Sequence, residues 1–407
     1  MTTSTEQAHT FPVSRGSCPM HPPSEYADWR SEEGGIHRVR LWDGRHAWVV
    51  TGWKYARKLL RDNRLCADRM DPRYPSESPT HAVKGPSRRA FRAMDGEQHT
   101  YYRRLLADEF SVRTADRLRP RIREVIAELL ANMKRKGRTA DLFEDFALPL
   151  PMQVTCEIIG VPFEDQEHFD TLVNQMLGRT DDPSVSEQAG HELSAYILEM
   201  IDTRTKEPTD DLMGRLVSGP LARGEISRDD VLVTTIILLL GGYESTASTL
   251  ATGLLALMQN PAQLERAREN LRNGEKRSVI EELLRYTSVT DVGLNRFALE
   301  DIEIGGKTIA ANEGVIIHLP SVNRDPATFT DPDTLDVDRG GPAHVAFGFG
   351  PHQCVGQMLA RAELEEALPA LLEALPNLRL AVPEEELSYR TGMLVVGVNS
   401  LPVVWDD

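Results

Sequence analysis

The chain has 407 residues, and its 46 Lys and Arg residues against 62 Asp and Glu residues give a formal net charge of −16. Two domains are the usual expectation at this length, although large single-domain enzymes also reach it. The acidic balance argues against general binding to nucleic acid or to an anionic membrane surface, and it leaves room only for a local basic patch. The cysteines are too dispersed for a zinc ribbon and too few for a disulfide framework, which fits a reducing cytoplasm; they are Cys18, Cys66, Cys156 and Cys354.

No targeting or membrane-spanning segment is predicted. Residues 1–11 are mostly polar and lack an apolar run, so we expect a disordered start without a signal peptide or an N-terminal anchor. The longest apolar stretch, Val231 to Leu240, is far shorter than the ~20 residues that a spanning helix requires, and we interpret it as a buried core helix. A soluble, cytoplasmic protein is therefore expected.

The first part of the chain predicts a β-hairpin followed by helices. Apolar and polar residues alternate over 36–51 around a turn at Asp43-Gly44, which is typical of a hairpin. Helical patterns follow on either side of a polar, proline-bearing stretch at 70–94, which is predicted to be a loop.

Helical periodicity dominates residues 118–284, and short strand-like runs between glycines and acids follow Tyr286. A last helix is predicted over 358–375, and a final pair of strands over 394–404. No linker or internal repeat divides the chain. Residues 12–407 are therefore expected to form one mainly α domain with a small β region.

Near the C-terminus a single cysteine lies in a glycine-rich loop that leads directly into an apolar helix. The loop runs from Phe347 through Cys354 to Gly356. Glycines allow backbone N–H groups to turn toward a thiolate sulfur, and the next helix adds the positive end of its dipole. Gly356 leaves room for a flat ring, and Phe347 can shield the sulfur from water. The pattern suits a thiolate ligand to iron; on its own it is also compatible with a buried structural cysteine.

The spacing Phe-x-x-Gly-x-x-x-Cys-x-Gly resembles the haem-binding signature of the cytochrome P450 family. The resemblance extends from about Pro12 to Trp405 and is strongest to soluble bacterial members that hydroxylate secondary metabolites and xenobiotics. It implies a triangular, mainly helical prism that encloses haem b, with Cys354 as the axial metal ligand. It also implies that dioxygen is the co-substrate.

A second motif lies within the long apolar segment. Ser227 begins it with a capping-box pattern, and the segment continues into Gly241-Gly242-Tyr243-Glu244-Ser245-Thr246. Two glycines inside a helix cost about 1 kcal/mol each relative to alanine, so something must compensate for them. They indicate either a kink between two helices or a groove that opens beside one helix.

This segment resembles the oxygen-binding helix of the same family. By that resemblance Gly242 borders the cofactor groove, Glu244 relays protons, and Ser245 stands where the family usually has a threonine that positions water near the distal oxygen. A serine keeps the hydroxyl but lacks the methyl group that restricts its rotamer, so proton delivery is expected to be less tightly aimed. Thr246 is the alternative source of a hydroxyl.

Four further residues are implied as partners of the haem propionates, which require cationic or hydrogen-bonding groups. His99 and Arg103 are spaced i, i+4 on one predicted helix face, for which an ordinary polar surface is the alternative interpretation. Arg296 and His352 complete the set that the resemblance implies.

The pair Glu282 and Arg285, spaced i, i+3, resembles the family's Glu-x-x-Arg element, which joins a downstream arginine to brace the haem-binding core. Taken alone, such a pair is typical of a solvated helix surface. The segment that contains Asp338 and Arg339 resembles the part of the family that precedes the cysteine loop.

Substrate contacts are implied only by the resemblance. Most of the side chains concerned are apolar, which favours a sizeable apolar ligand. Asp291 and Asn295 are candidates for orienting polar groups of that ligand, and each is equally compatible with a turn. The implied segments are the loop 70–94, the helices near Met176 and Ile197, the stretch 289–295 and the turn 393–395.

The implied reaction is insertion of one oxygen atom from dioxygen into a C–H bond of a bulky apolar small molecule, a secondary metabolite. No flavin or ferredoxin module is recognised in the chain, so a ferredoxin and its reductase are implied partners. Arg104, Arg113 and Arg361 are predicted basic contacts for an acidic ferredoxin. Two alternatives remain: a peroxygenase or reductase with the same haem ligation, and a haem sensor without turnover.

Overall fold

Helices make up most of the chain, in agreement with the predicted mainly α class. The computed structural model describes residues 9–15, 20–79, 90–176, 183–291, 293–390 and 395–406. The helices are Glu25–Glu33, Trp53–Leu59, Gly96–Ala107, Val112–Lys136, Pro149–Ile159, Gln166–Met176, Pro183–Lys206, Leu212–Leu216, Arg228–Gln259, Pro261–Arg272, Lys276–Thr287, Leu319–Val322 and Gln357–Ala374. Shorter helical turns occupy Phe91–Ala93, Phe143–Ala147, Phe163–Asp165, Val217–Leu221, Gly350–His352 and Glu384–Glu386.

The strands are short. They are β1 His9–Thr10, β2 Ile36–Arg40, β3 His46–Val50, β4 Leu65–Cys66, β5 Thr139–Asp141, β6 Leu294–Ala298, β7 Ile302–Ile304, β8 Lys307–Ile309, β9 Gly314–Ile317, β10 Arg379–Leu380, β11 Tyr389–Arg390, β12 Gly397–Val398 and β13 Pro402–Val404. Within the described residues they form four small sheets, of which the largest has the order β1-β2-β3-β9-β6-β4 and the others are β10-β13-β5, β11-β12 and β7-β8. The predicted hairpin is confirmed as β2 and β3, which pair antiparallel with Ile36 opposite Val50.

The ends of the chain differ from the sequence-based expectation. Within residues 1–11, which were expected to be disordered, His9–Thr10 form a strand parallel to β2, and residues 1–8 lie outside the described residues. The reason is the neighbouring Phe11, which is buried in an aromatic cluster with Tyr26 and Trp29. At the other end, β12 and β13 do not pair with each other, because β12 pairs with β11 while β13 lies between β5 and β10.

The helix Arg228–Gln259, called here the central helix, has most of its residues buried. It packs against the helices Pro149–Ile159, Pro183–Lys206, Lys276–Thr287 and Gln357–Ala374. It is long and apolar enough to cross a membrane by length and composition, with a mean hydropathy of 1.4, yet 61% of that apolar window is buried inside the protein. Its burial confirms the prediction of a core helix around Val231 to Leu240.

Candidate active site

The loop 345–356, called here the Cys354 loop, is held by its own backbone. Gly348 and Gly350 have φ angles of 70° and 76°, a left-handed conformation that other residues adopt only with strain. A Cβ atom on Gly350 would also collide with the carbonyl oxygen of Leu60. The amide of Cys354 donates to the carbonyl oxygen of Phe347 at 2.8 Å and closes the loop. The glycines predicted to shape this loop therefore do so through positive φ and close packing.

The thiol of Cys354 is accessible from an open space and is surrounded by protein on its other sides. Burial raises the pKa of the thiol, while the amides of Gly356 and Gln357 and the guanidinium groups of Arg103 and Arg361 oppose that shift. The two amides belong to the start of the helix Gln357–Ala374, where free backbone N–H groups point outward. Apart from its chain neighbours, no atom of the described residues lies within 4 Å of the position that a Cβ on Gly356 would take. The open space at Gly356 agrees with its predicted role beside a flat ring.

Phe347 lies beside the loop as predicted, but its neighbour corrects another expectation. The guanidinium of Arg361 lies over the Phe347 ring, 4.5 Å from its centroid. Arg361 is only 8% exposed and pairs with Glu281, with Nε 2.5 Å from Oε1. Arg361 is therefore not the surface contact for a ferredoxin that the sequence suggested, because its side chain is buried and forms an internal ion pair. Arg104 and Arg113, predicted for the same role, are exposed.

The structure brings together all four residues that were predicted to hold propionates. The rings of His99 and His352 stack with centroids 4.0 Å apart. Burial lowers the pKa of His99 to about 4, with further lowering by His352 and Arg103. Burial also lowers the pKa values of Arg103 and Arg296, and the charge of Arg296 lowers the pKa values of both histidines further.

Asp95 is a site residue that sequence reasoning missed. Its Oδ1 lies 2.9 Å from Nε2 of His352, and its Oδ2 accepts from the amide of Ala67 at 2.7 Å. Burial opposes ionisation of this carboxyl, but the hydrogen bonds from His352 and Ala67 outweigh it and lower the pKa of Asp95 to about 2. Its position directly before a helix start and four residues before His99 was the available signal.

The charges around this cluster are unbalanced. Neither Arg103 nor Arg296 has a carboxylate within ion-pair distance among the described residues, although burial penalises both cations. Asp95 neutralises one histidine at most. A doubly anionic group such as the two haem propionates would satisfy the remaining cations, so the residues present fit that cofactor.

The predicted capping box at the start of the central helix is confirmed. Ser227 Oγ accepts from the amide of Asp230 at 3.1 Å, and Asp230 Oδ2 accepts from the amide of Ser227 at 2.7 Å. From there the helix runs as one element to Gln259, through both glycines. The two glycines therefore do not interrupt the helix.

One face of the central helix borders open space. Its accessible positions form a stripe at helical spacing, and outside the helix itself no atom of the described residues lies within 4 Å of a would-be Cβ on Gly241. Gly242, predicted to border the cofactor groove, points its would-be Cβ at Thr155 Oγ1, 3.2 Å away. Successive residues of a helix differ by about 100°, so Gly241 faces the groove, and Gly242, which is partly accessible, lies at its edge beside the helix Pro149–Ile159. The stripe consists of Val233, Ile236, Ile237, Leu240, Gly241, Gly242 and Ser245.

The acid and the two hydroxyls of this segment occupy different environments. Ser245 lies on the accessible stripe, where its Oγ donates to the carbonyl oxygen of Gly241 at 2.8 Å. Thr246 is only 6% exposed and lies off the stripe. Glu244 is buried and accepts a hydrogen bond from Nη1 of Arg390 at 2.7 Å. The structure therefore favours Ser245 over Thr246 as the hydroxyl that faces the open space.

Glu282 and Arg285 form a buried ion pair, as the resemblance implied and unlike a solvated surface pair. Nε and Nη2 of Arg285 donate to Glu282 at 2.7 and 2.8 Å, and their side chains are 2% and 1% exposed. Arg339 Nε donates to the same carboxylate at 3.1 Å and is the downstream arginine of the brace. Arg285 also donates to the carbonyl oxygens of Asn323 and Pro332.

The polar candidates for substrate contacts are engaged elsewhere. Asp291 pairs with Arg15 and lies 3.9 Å from His318, and Asn295 donates to the carbonyl oxygen of Pro75 at 3.0 Å. Both therefore stabilise the surrounding loops. Other predicted substrate positions, namely 80–89 within the loop 70–94, Val292, and residues 393–394, lie outside the described residues.

Comparisons with known proteins agree with this architecture. The family model described as Cytochrome P450 matches residues 14–395. The chain is similar to the vitamin D3 dihydroxylase of Streptomyces griseolus, with 43% identity over 99% of this chain and 98% of that one. It is also similar to the pentalenic acid synthase of Streptomyces avermitilis, with 42% identity over 99% of each chain.

Among solved structures, cytochrome P450 MoxA from Nonomuraea recticatena superposes with a TM-score of 0.91 and 38% identity, over 98% of both chains. The match of the family model, the full-length relatives and the shared fold point to one conclusion. The chain belongs to the cytochrome P450 family and is, like its relatives, a haem-iron oxidoreductase of the monooxygenase type.

Proposed function

We propose that residues 12–407 form one haem-thiolate monooxygenase domain that inserts one oxygen atom from dioxygen into a C–H bond of a bulky apolar small molecule. The observation that carries the proposal is the accessible thiol of Cys354, which meets the amides of Gly356 and Gln357 beside open space. Amides donate to a thiolate without protonating it, which suits an iron ligand.

The cofactor in this proposal is haem b, which would supply the oxygen-inserting chemistry when bound to Cys354. Arg103, Arg296, His99 and His352 would hold its propionates, since they form the cationic cluster with one carboxylate among them. Gly356 and Gly241 would leave room for the ring and for dioxygen, because both border open space.

On the central helix, Glu244 would hold and transfer protons, and Ser245 would orient water with its hydroxyl. Ser245 lies on the stripe that borders the open space, and Glu244 precedes it directly in the helix. General acid–base groups at this position contribute typically 10²–10⁴-fold when well placed, so small changes in their orientation alter the outcome.

The substrate in this proposal is a bulky apolar secondary metabolite. The stripe of Ile236, Ile237 and Leu240 gives the open space an apolar wall, which favours an apolar ligand. The names of two relatives, a vitamin D3 dihydroxylase and a pentalenic acid synthase, support this class of molecule, and the first name supports a hydroxylation.

Electrons would come singly from a separate ferredoxin and its reductase in the cytoplasm. Arg104 and Arg113 are exposed and remain the proposed contacts for an acidic ferredoxin, with Arg361 removed from that set. Charge reversal at either position should slow the first electron transfer and weaken its salt dependence. An unchanged rate and salt dependence in both variants would dismiss this contact.

The decisive test of the haem ligand is the absorption spectrum of the reduced protein with carbon monoxide. We expect the long-wavelength Soret band of thiolate ligation, its loss in Cys354→Ser, and its retention in the matched control Cys156→Ala, which alters a buried cysteine of the helix Pro149–Ile159. A band at the shorter wavelength of histidine-ligated haem in the unaltered protein would refute the proposal.

Turnover separates an enzyme from a sensor. A compound library is screened for a shift from low to high spin, and the compounds that shift the spectrum are tested with added ferredoxin and reductase. Consumption of reduced nicotinamide with formation of an oxygenated product is expected. Product formation from peroxide alone, with none from dioxygen and reductant, would favour the peroxygenase instead.

A further inference from the structure

The carboxylate of Glu244 forms an ion pair with Arg390, which lies near the C-terminus of the chain. Arg390 Nη1 donates to Glu244 Oε1 at 2.7 Å, and Arg390 Nη2 donates to Ser248 Oγ at 2.9 Å. Glu244 and Ser248 are one turn apart on the central helix, so a single guanidinium spans that turn. The side chains of Arg390 and Glu244 are only 9% and 11% exposed, so water screens their attraction little.

The position of Arg390 is itself fixed from two directions. Its guanidinium lies over the ring of Phe143, 4.9 Å from the centroid. Its backbone belongs to β11, where Arg390 pairs with Gly397 of β12. A Cβ on Gly397 would lie 2.9 Å from Ser248 Oγ and 3.1 Å from Arg390 Nη2. The absence of a side chain at Gly397 therefore makes room for the arginine to reach the central helix.

The same strand pair continues toward the region proposed to contact substrate. The amide of Val396 donates to the carbonyl oxygen of Val289 at 2.9 Å, and Val395 forms a bridge with Thr290. The hairpin that carries Arg390 is thus tied both to the acid of the central helix and to the stretch 289–291.

We propose that Arg390 is a positioning residue for oxygen activation, and that it sets the place and the charge environment of Glu244 through this ion pair, with Gly397 supplying the space. The proposal rests on the proposed function, because it assigns a partner to the proton-transferring acid of that function. Arg390 acts only through Glu244 and touches neither the substrate nor the cofactor in this account. Ser248 orients the guanidinium by accepting its second hydrogen bond.

The test uses the haem-containing protein with added ferredoxin and reductase, and it needs no identified substrate. The readout is peroxide released per molecule of reduced nicotinamide consumed, followed from about pH 6 to about pH 9, because this ratio reports proton delivery to reduced oxygen. In Arg390→Gln we expect the ratio to change by about threefold or more and its pH profile to differ from that of the unaltered protein, since a buried carboxylate loses its cation.

Two further variants make the prediction specific. Arg390→Lys keeps the charge, so the pH profile should stay near that of the unaltered protein while the peroxide ratio changes only in part. Gly397→Ala keeps both charged groups but crowds the guanidinium, so its effect should lie between those of the other two. If Arg390→Gln does not yield folded protein with haem, these two variants carry the test. Arg379→Gln is the matched control, because that arginine pairs with Asp406 on the surface, with side chains 54% and 50% exposed.

The outcomes distinguish this inference from the proposed function. A wild-type peroxide ratio and pH profile in Arg390→Gln, with both altered in Glu244→Gln, would overturn the role of Arg390 and leave the monooxygenase proposal intact. Unaltered behaviour in Glu244→Gln as well would overturn the proposed role of the acid. A reduced carbon monoxide spectrum without thiolate ligation in the unaltered protein would instead refute the function.

Discussion

The Cys354 loop and the central helix carry the two halves of the proposed site, and they are held in different ways. Around the loop, glycines at positive φ and buried ion pairs fix the backbone: Arg285 and Arg339 share Glu282, while Arg361 holds Glu281. On the central helix the backbone is an ordinary helix, and the functional groups are set by single side-chain contacts such as that of Arg390 with Glu244.

Because of this difference, we expect changes around the loop to affect mainly protein stability, and changes on the central helix to affect mainly the products formed from dioxygen. A change in the braced region leaves a buried charge or a strained backbone uncompensated, so it should lower the free energy of unfolding and the retention of haem. A change on the accessible stripe of the central helix leaves the packing intact, so it should instead alter how much of the reduced dioxygen is released as peroxide. The predictions below test that separation, from the largest expected effect on stability to the smallest.

Arg285→Ala should have the largest effect. It leaves Glu282 buried beside Arg339 alone and removes donors from the carbonyl oxygens of Asn323 and Pro332, so a loss of about 3–5 kcal/mol is expected. Denaturant unfolding of the haem-containing protein measures it. Arg266→Ala is the control, because Arg266 is 43% exposed in its pair with Asp338, and it should cost no more than about 1 kcal/mol. Equal losses in both variants would contradict a buried brace.

Gly350→Ala should lower the free energy of unfolding by about 1–3 kcal/mol, because alanine is strained at the positive φ of this position. Its Cβ would also meet the carbonyl oxygen of Leu60, so the loop must shift and the thiolate Soret band should weaken. Gly340→Ala serves as the control, since nothing lies within 4 Å of its would-be Cβ. A stable Gly350→Ala protein with an unchanged spectrum would show that the loop is not rigid.

Glu363→Gln tests a buried acid near the Cys354 loop that, unlike Glu281 and Glu282, has no arginine partner among the described residues. Glu363, on the helix that follows the Cys354 loop, is 2% exposed, and its Oε2 has no hydrogen-bond partner among the residues that the structure describes. Burial raises its pKa to about 8, above the ordinary value of 4.5. Between these two values the folded protein holds a proton that the unfolded chain releases, so stability falls as pH rises from 4.5 to about 8.

The expected slope from this one group is at most about 1.4 kcal/mol per pH unit, and Glu363→Gln should remove it. Unfolding measured at several pH values between those limits gives the comparison. Glu373→Gln, an exposed position on the same helix, should leave the pH dependence unchanged. Identical pH dependence in the unaltered protein and in Glu363→Gln would show that Glu363 is ionised or solvated in the folded state.

Ser245→Ala should have the smallest effect on the free energy of unfolding but should clearly change the amount of peroxide released. It removes one hydroxyl that bonds a carbonyl oxygen in its own helix, so less than about 1 kcal/mol is expected in unfolding. Peroxide release per reduced nicotinamide should rise severalfold, whereas Ser245→Thr should lower it, because the added methyl group restricts the rotamer. Thr252→Val is the matched control, since Thr252 bonds Ser248 in the same way but is buried. Unchanged peroxide in Ser245→Ala would remove Ser245 from proton delivery.

Motifs with local geometry were accessible from the sequence. The glycines around Cys354, the capping box at Ser227 and the periodic apolar segment of the central helix each follow from backbone conformation or helical spacing, which depend on neighbouring residues. The spacing of Glu282 and Arg285 also predicted their ion pair, but only the resemblance to the family indicated that the pair is buried. The direction in which each residue faces around the helix axis was not predicted, because the motif did not show whether Gly241 or Gly242 faces the groove.

Contacts between distant segments escaped prediction for a physical reason. Asp95 meets His352, and Arg390 meets Glu244, across 257 and 146 residues of chain respectively. Neither pair leaves a local signal, since each side chain alone is compatible with a surface position. The short strand β5 is similar, because it exists only through pairing with β13.

Residue type and close spacing were sufficient to identify a cytochrome P450 with a cysteine loop, an acid–hydroxyl helix and a Glu-x-x-Arg brace. The partners of its buried polar groups, by contrast, depend on how the whole chain packs: Arg361 pairs with Glu281, His352 with Asp95 and Glu244 with Arg390. Burial makes the choice of partner energetically important, and burial is a property of the packed chain rather than of any segment within it.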